Sequence, residues 1–201
     1  RDSRWPDPEA NQLTDRYSMH SDTAAYYLTT GTGQLYEETS SGGGTVASSI
    51  LRRSEQVFSE HMVKNFFRSG GISIYYSHYD KAEGFGQRSS GDLLSSNGNT
   101  ESTIPLSLPA ANGQPATLDV RFGTAFGSHE VEISADGTVL TAPVRSGWGV
   151  IREQTTFTPS GEETTISLKG IREDRDKPNV AWVAVTYPAE PAYDEELTAF
   201  T

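Results

Sequence analysis

The sequence predicts a mainly β protein: a β-sandwich of jelly-roll or immunoglobulin-like kind, preceded by a smaller β-rich region with one helix. Three observations lead there. Apolar residues in the second half alternate over short runs, as they do on strands with one buried face. Turn formers separate those runs at short, regular spacing. Hydrophobic residues make up 34% of the 201-residue chain, and Gly contributes 19 residues, a composition lean for a helical globule and ordinary for a turn-rich sheet protein.

In chain order, "RDSRWPDPEANQLTD" opens with two prolines and several turn formers and reads as an extended arm, which Trp5 is placed to pin to the body. Ala24 to Thr30 is short, aromatic and β-prone, and the turn Gly31-Thr32-Gly33 offers a return strand from Gln34 to Glu38. Ser40 to Gly44 then breaks the chain, with an entering strand available from Val46 to Leu51. From Ser54 to Arg68, Val57, Phe58, Met62, Val63, Phe66 and Phe67 fall at steps of three and four and predict one helix ended by Ser69-Gly70-Gly71. The same spacing also admits two strands. Ile72, Ile74 and Tyr76 alternate as a strand, followed by a Gly-, Ser- and Asn-rich loop over 81–102.

The composition shift places a domain boundary near residue 100, giving a β-rich region over 1–100, a sandwich over 101–190 and an exit linker over 191–201. Within the sandwich, Ile104, Leu106 and Leu108 form one alternating run, Leu118, Val120 and Phe122 a second, and Val131 and Ile133 a third. Ala135-Asp136-Gly137 before Val139 and Leu140 is a hairpin signal. Further strands are expected over Gly149 to Thr158, Glu163 to Leu168 and Asn179 to Tyr187. "NVAWVAVTY" is apolar on both faces and so belongs in the middle of a sheet, with Pro188 and Pro191 closing the domain.

Charge and composition exclude several function classes. A net charge of -11 opposes binding to nucleic-acid phosphate and to anionic lipid, which requires clustered Lys and Arg. The chain has no cysteine, so disulfides, Cys-ligated metal and thiol catalysis cannot arise within it. No apolar run approaches the length of a membrane span. An opening at Arg1 without Met reads as a mature or trimmed piece of something longer.

The chemistry-bearing clusters are few. His20, Ser21 and Asp22 are consecutive, so on extended backbone they point in alternating directions, and they read as the lip of a strand. Tyr79, Asp80 and Glu83 form a candidate ligand or interface loop. Two carboxylates fall short of the six or so oxygens a hard cation needs, so no metal and no cofactor is called for. Glu173, Asp174 and Asp176, interleaved with Arg172, Arg175 and Lys177, read as a self-neutralised turn. Trp148, between Gly147 and Gly149, is the candidate sugar-stacking platform, against the more ordinary role of an aromatic in packing.

Four segments carry a resemblance: "LTDRYSMHSDTAAYYLTT", "RRSEQVFSEHMVKNFF", "YYSHYDKAEGFG" and "VAWVAVTYPAEPAYDEELTAF". In order and character they resemble the region ahead of the peptidase domain in gingipain-like cysteine peptidases of Bacteroidetes-type bacteria, and especially PorU-like sortases of the type IX secretion system. The loop departs from the family pattern at Ala82, where Gly is usual, and at Phe85, where Trp is usual. The resemblance implies a secreted or outer-membrane surface protein whose sandwich stands before a catalytic domain. It also implies partners in that downstream peptidase domain or in other outer-membrane proteins of the secretion machinery. Asp22-Thr23-Ala24 matches the short O-glycosylation acceptor pattern of surface proteins in those bacteria. Without a cysteine, only the non-catalytic, accessory role carries over. Two other classes stand beside it: a carbohydrate-binding or adhesive sandwich that takes surface glycans, and a structural subunit of a surface assembly in which the arm Arg1 to Thr14 adds to a neighbour's sheet edge.

Overall fold

The structure is a computed structural model that describes residues 10, 13, 49–63, 66–69, 72–75, 84–87, 101–124, 127–172 and 178–190. In chain order the strands are β1 (Ile50–Val57), β2 (His61–Val63), β3 (Phe66–Ser69), β4 (Ile72–Tyr75), β5 (Gly84–Gly86), β6 (Glu101–Ser107) and β7 (Ala116–Thr124). After them come β8 (Ser128–Ala135), β9 (Thr138–Thr141), β10 (Val144–Ser146), β11 (Gly149–Phe157), β12 (Glu163–Gly170) and β13 (Asn179–Ala189).

Two antiparallel sheets pack face to face. The first has the order β1-β13-β7-β11, and the second β10-β8-β12-β6 with β9 also on β8. Two-stranded ribbons β2-β5 and β3-β4 complete the described structure. The strict alternation of β6, in which Ser102, Ile104 and Leu106 are buried and the residues between them exposed, follows directly from the period of two. Ile104, Leu106, Ile133, Ile166 and Leu168 from the second sheet meet Leu118, Val120, Phe122, Val183, Val185 and Tyr187 from the first, forming the main core. Each such side chain, fully withdrawn from water, contributes about 2 kcal/mol. At one end of the core, the Tyr187 hydroxyl donates to the Pro109 carbonyl at 3.3 Å, so its polar tip is satisfied where its ring is buried.

The hairpin signal at Ala135-Asp136-Gly137 is realised in detail. Ala135 pairs with Thr138, and both central residues have positive φ, 48° at Asp136 and 79° at Gly137, the conformation of a two-residue type I′ turn. The Asp136 carboxylate then accepts from the Thr165 backbone N–H at 2.8 Å and the Thr164 hydroxyl at 3.1 Å. The turn is thereby fastened to β12.

The structure corrects the helix expected over Ser54 to Arg68. The described residues of that stretch form strands and a connection instead, with β1 running antiparallel to β13 from Ile50↔Ala189 to Val57↔Trp182, followed by β2 and β3. The apolar residues come in adjacent pairs, and a pair on a strand sends one side chain to each face as readily as it fits a helical stripe. β-Branched and aromatic residues such as Val57, Phe58 and Phe66 favour the pleated alternative. The backbone bonds to β13, extended by Phe58 N to the Ala181 carbonyl at 2.9 Å, decide it. β5 likewise lies inside the expected loop, where Gly86 passes so close to Asn179 that no Cβ would fit, and the following Gln87 N–H donates to the Val180 carbonyl at 2.8 Å.

The segment "NVAWVAVTY" is the interior strand β13, between β1 and β7. The strand continues through Pro188 to Ala189. The Pro188 carbonyl accepts from Asn112 N at 3.3 Å. The hairpin expected over 24–38 lies outside the described residues.

Candidate functional site: the outer face of the first sheet

An antiparallel sheet in a sandwich usually buries one face and leaves the other to water and independent polar side chains. The first sheet departs from this. A β-bulge between Val180 and Trp182 turns Ala181 and Trp182 both away from the main core. There they join Ala184, Val150 and Leu13 in a second buried cluster on the sheet's outer side. Trp182 is only 3% exposed and Leu13 is fully buried.

Charged groups surround this cluster in an ordered row. The Arg53 and Arg152 guanidiniums stand 5.9 and 5.8 Å from the Trp182 ring centroid, within the range where a cation is drawn to an indole face. Arg152 is held by Asp119 through a two-point pair, Nε to Oδ1 at 3.1 Å and Nη2 to Oδ2 at 2.7 Å, and Gln154 Nε2 adds a third donor at 3.2 Å. This geometry exists because Gln154 sits opposite Asp119 and Arg152 opposite Arg121 in the β11–β7 register. On the far edge Arg53 pairs with Glu55 at 3.3 Å. Arg121, 2% exposed, donates its Nε–H to the backbone carbonyl of Leu13 at 3.0 Å.

Trp148 is brought to the same place. It is half-buried and packs against the outer cluster, on a turn where Gly147 has φ 75° and its N–H donates to the Gly127 carbonyl at 2.7 Å. The Thr124 hydroxyl bonds the Gly147 carbonyl at 3.0 Å, and the Arg145 guanidinium lies over Gly149, leaving no space for a side chain there. Tyr79, Asp80, Glu83, His20, Ser21 and Asp22 lie outside the described residues. Sequence reasoning missed Trp182, Arg121 and Asp119. The available signal was "NVAWVAVTY" itself, whose second apolar face meant a second cluster as well as an interior position.

Elsewhere, an open cleft of about 460 Å³ lies beside the β8–β9 hairpin, lined by Leu140, Phe157, Thr138, Thr158, Ser160 and Asp136. Among the described residues no three His, Asp or Glu side chains gather as metal ligands, and no helix is long and apolar enough to cross a membrane.

The fold is thus a two-sheet antiparallel β-sandwich with a second, smaller cluster on one outer face. No protein-family model matches the chain, and no curated protein does. Among solved structures it is similar to dimeric latent PorU from Porphyromonas gingivalis (14% identity, TM-score 0.43), over 74% of this chain and 13% of that one. It is also similar to a family 35 carbohydrate-binding module from Clostridium thermocellum (12% identity, TM-score 0.35, 68% and 90% of the two chains). A third similarity is to the CBM36-1 domain of a multidomain xylanase from the hindgut metagenome of Trinervitermes trinervoides (12% identity, TM-score 0.38, 71% and 100%). At these scores the likenesses carry no functional inference.

Proposed function

We propose that this chain is a non-catalytic interaction module, the accessory region of a PorU-like or gingipain-like peptidase displayed on the outer surface of a bacterial cell. The observation that carries the reading is the outer face of the first sheet. Folding of the sandwich alone needs one apolar face per sheet. The rim of the outer face, where the partly exposed Arg53 and Arg152 stand over the buried Trp182 cluster, is suited to contact with polypeptide, since Arg is enriched among the residues that dominate such contacts. The order of the four resembling segments supports the accessory assignment. A chain with no cysteine has no thiolate of its own for peptide cleavage.

The test is to purify the chain and assay it for peptidase activity and for association with a PorU-like catalytic fragment. Association without proteolysis is expected. Proteolysis above buffer background by the chain alone would refute the reading.

A second reading, a glycan-binding module, rests on the cleft beside the β8–β9 hairpin, where the Phe157 ring and the hydroxyls of Thr158 and Ser160 line one hollow. An aromatic face with nearby hydroxyls suits a sugar ring. Glycan retention on affinity gels that disappears in Phe157→Ala would favour it. Loss in Trp148→Ala would place the sugar on the outer face instead.

A further inference from the structure

We propose that the cleft beside the β8–β9 hairpin takes one uncharged sugar ring and turns away sugars that carry a carboxylate or a sulfate. The inference rests on the glycan-binding reading of that cleft and states which glycans it admits. The two sheets approach each other along their margins, β9 on one and β11 on the other. At one end of this seam they are tied. The Thr141 hydroxyl donates to Glu153 Oε1 at 3.3 Å, and Arg145 Nη1 donates to the Val150 carbonyl at 3.0 Å. At the other end, Thr138 and Leu140 of β9 and Phe157 and Thr158 at the end of β11 line an opening of about 460 Å³, within the roughly 300 to 1,000 Å³ usual for small-ligand sites.

The fold sets the floor of this cleft in advance. Leu140 and Phe157 are partly buried and pack against the main core, so their apolar surface stands in place before a ligand arrives, which spares the cost of ordering it. Asp136 is fixed as well, because each of its carboxylate oxygens accepts one bond from β12, Oδ1 from the Thr165 N–H and Oδ2 from the Thr164 hydroxyl. A carboxylate has about four acceptor positions, so both oxygens can still accept from a ligand hydroxyl. Thr138, Thr158 and Ser160 are exposed and add their own hydroxyls at the rim. A sugar ring has the matching chemistry, with C–H groups on one face to lie on the Phe157 ring and hydroxyls around its edge.

Charge makes the selection. Asp136 is the sole ionisable residue lining the cleft, with no Lys, Arg or His beside it. A ligand carboxylate or sulfate entering there loses water and meets a like charge, with no cation to offset either loss. The molecule's net charge of -11 acts in the same direction.

The experiment follows the backbone amide NMR shifts of the full chain during titration with the methyl glycosides of glucose, galactose and mannose, both anomers, and with those of the corresponding uronic acids. Expected is saturable binding of at least one neutral glycoside, with shifts centred on residues 135–140 and 157–160. Its uronate counterpart should bind at least roughly tenfold more weakly. Asp136→Asn keeps the turn, because Asn-Gly is a favoured type I′ pair, and should bring the two ligands within about threefold of each other. Phe157→Leu keeps an apolar side chain on the core, removes the flat ring, and should weaken the neutral glycoside about fivefold. A uronate bound as tightly as its neutral counterpart, a preference unchanged by Asp136→Asn, undiminished binding in Phe157→Leu, or shifts centred elsewhere, as around Trp148, would overturn the proposal and leave a glycan-binding module standing. Binding of no glycoside overturns the proposal too, and retention on the affinity gels then decides the glycan reading by itself.

Discussion

Asp119 shows how the outer face is held at the level of single groups. Its side chain is 7% exposed while that of its partner Arg152 is 42% exposed, so removing the carboxylate's charge strands no buried cation. Asp119→Asn is expected to cost about 1 kcal/mol, the lower range for a charge-assisted bond with one solvated partner, and a double-mutant cycle with Arg152→Gln should return most of that as coupling. Trp182→Ala should cost more, about 3 to 5 kcal/mol, because it opens a cavity under Leu13 and between two guanidiniums. Urea unfolding measures both. Tyr187 provides a pH readout: burial pushes its phenol above the ordinary value, Arg52 partly opposes this and Glu162 adds to it. A folded state that holds a proton more tightly than the unfolded chain loses stability as pH rises through the phenol range. Stability should therefore fall above about pH 10, less steeply in Tyr187→Phe. An identical alkaline slope in that variant would remove Tyr187 as the cause.

Among the elements, the β8–β9 hairpin and the stretch after Ser54 mark the two extremes of what the sequence discloses. Asp136-Gly137 demands positive φ at two successive positions, a local requirement that few residue pairs meet, and so it is legible from two letters. Gly137→Ala should cost about 1 kcal/mol although space is open around it, since the penalty is conformational. Gly161, equally open and without positive φ, should accept alanine with a change within about 0.5 kcal/mol. Equal effects at the two sites would contradict the turn assignment. The region of β1 to β3 was not legible, because its paired apolar residues satisfy helix and strand periods alike and only the partner strands settle the choice, β13 for β1, β5 for β2 and β4 for β3. Similarly, Leu13 sits in a stretch with no periodic pattern, and nothing local marks it as buried. Its partner Arg121 is 108 residues away.

Across the whole molecule, the two sheets close one core through the alternation that the second half displays openly, and strand β1 from the first half joins the first sheet beside β13. The sandwich was readable for that reason. The outer face was only half readable: the both-sided apolarity of β13 announced it, but Leu13, which packs on it, comes from another part of the chain. In a molecule of net charge -11, the Arg53 and Arg152 guanidiniums beside Trp182 are each held by a carboxylate, Glu55 and Asp119. The contribution of these partly exposed ion pairs should weaken with added salt.

The role of this face is tested most directly by calorimetric titration of the chain with a PorU-like catalytic fragment, comparing wild type with the double variant Arg53→Gln, Arg152→Gln. Both substitutions keep hydrogen-bonding groups on the sheet and remove the two cations beside Trp182, and circular dichroism verifies that the sandwich persists. Expected is association with the wild-type chain that weakens at least roughly tenfold in the double variant, the loss of about 1.4 kcal/mol. Absence of association with the wild-type chain, or association of equal strength in both, would contradict a contact surface at the outer face of the first sheet.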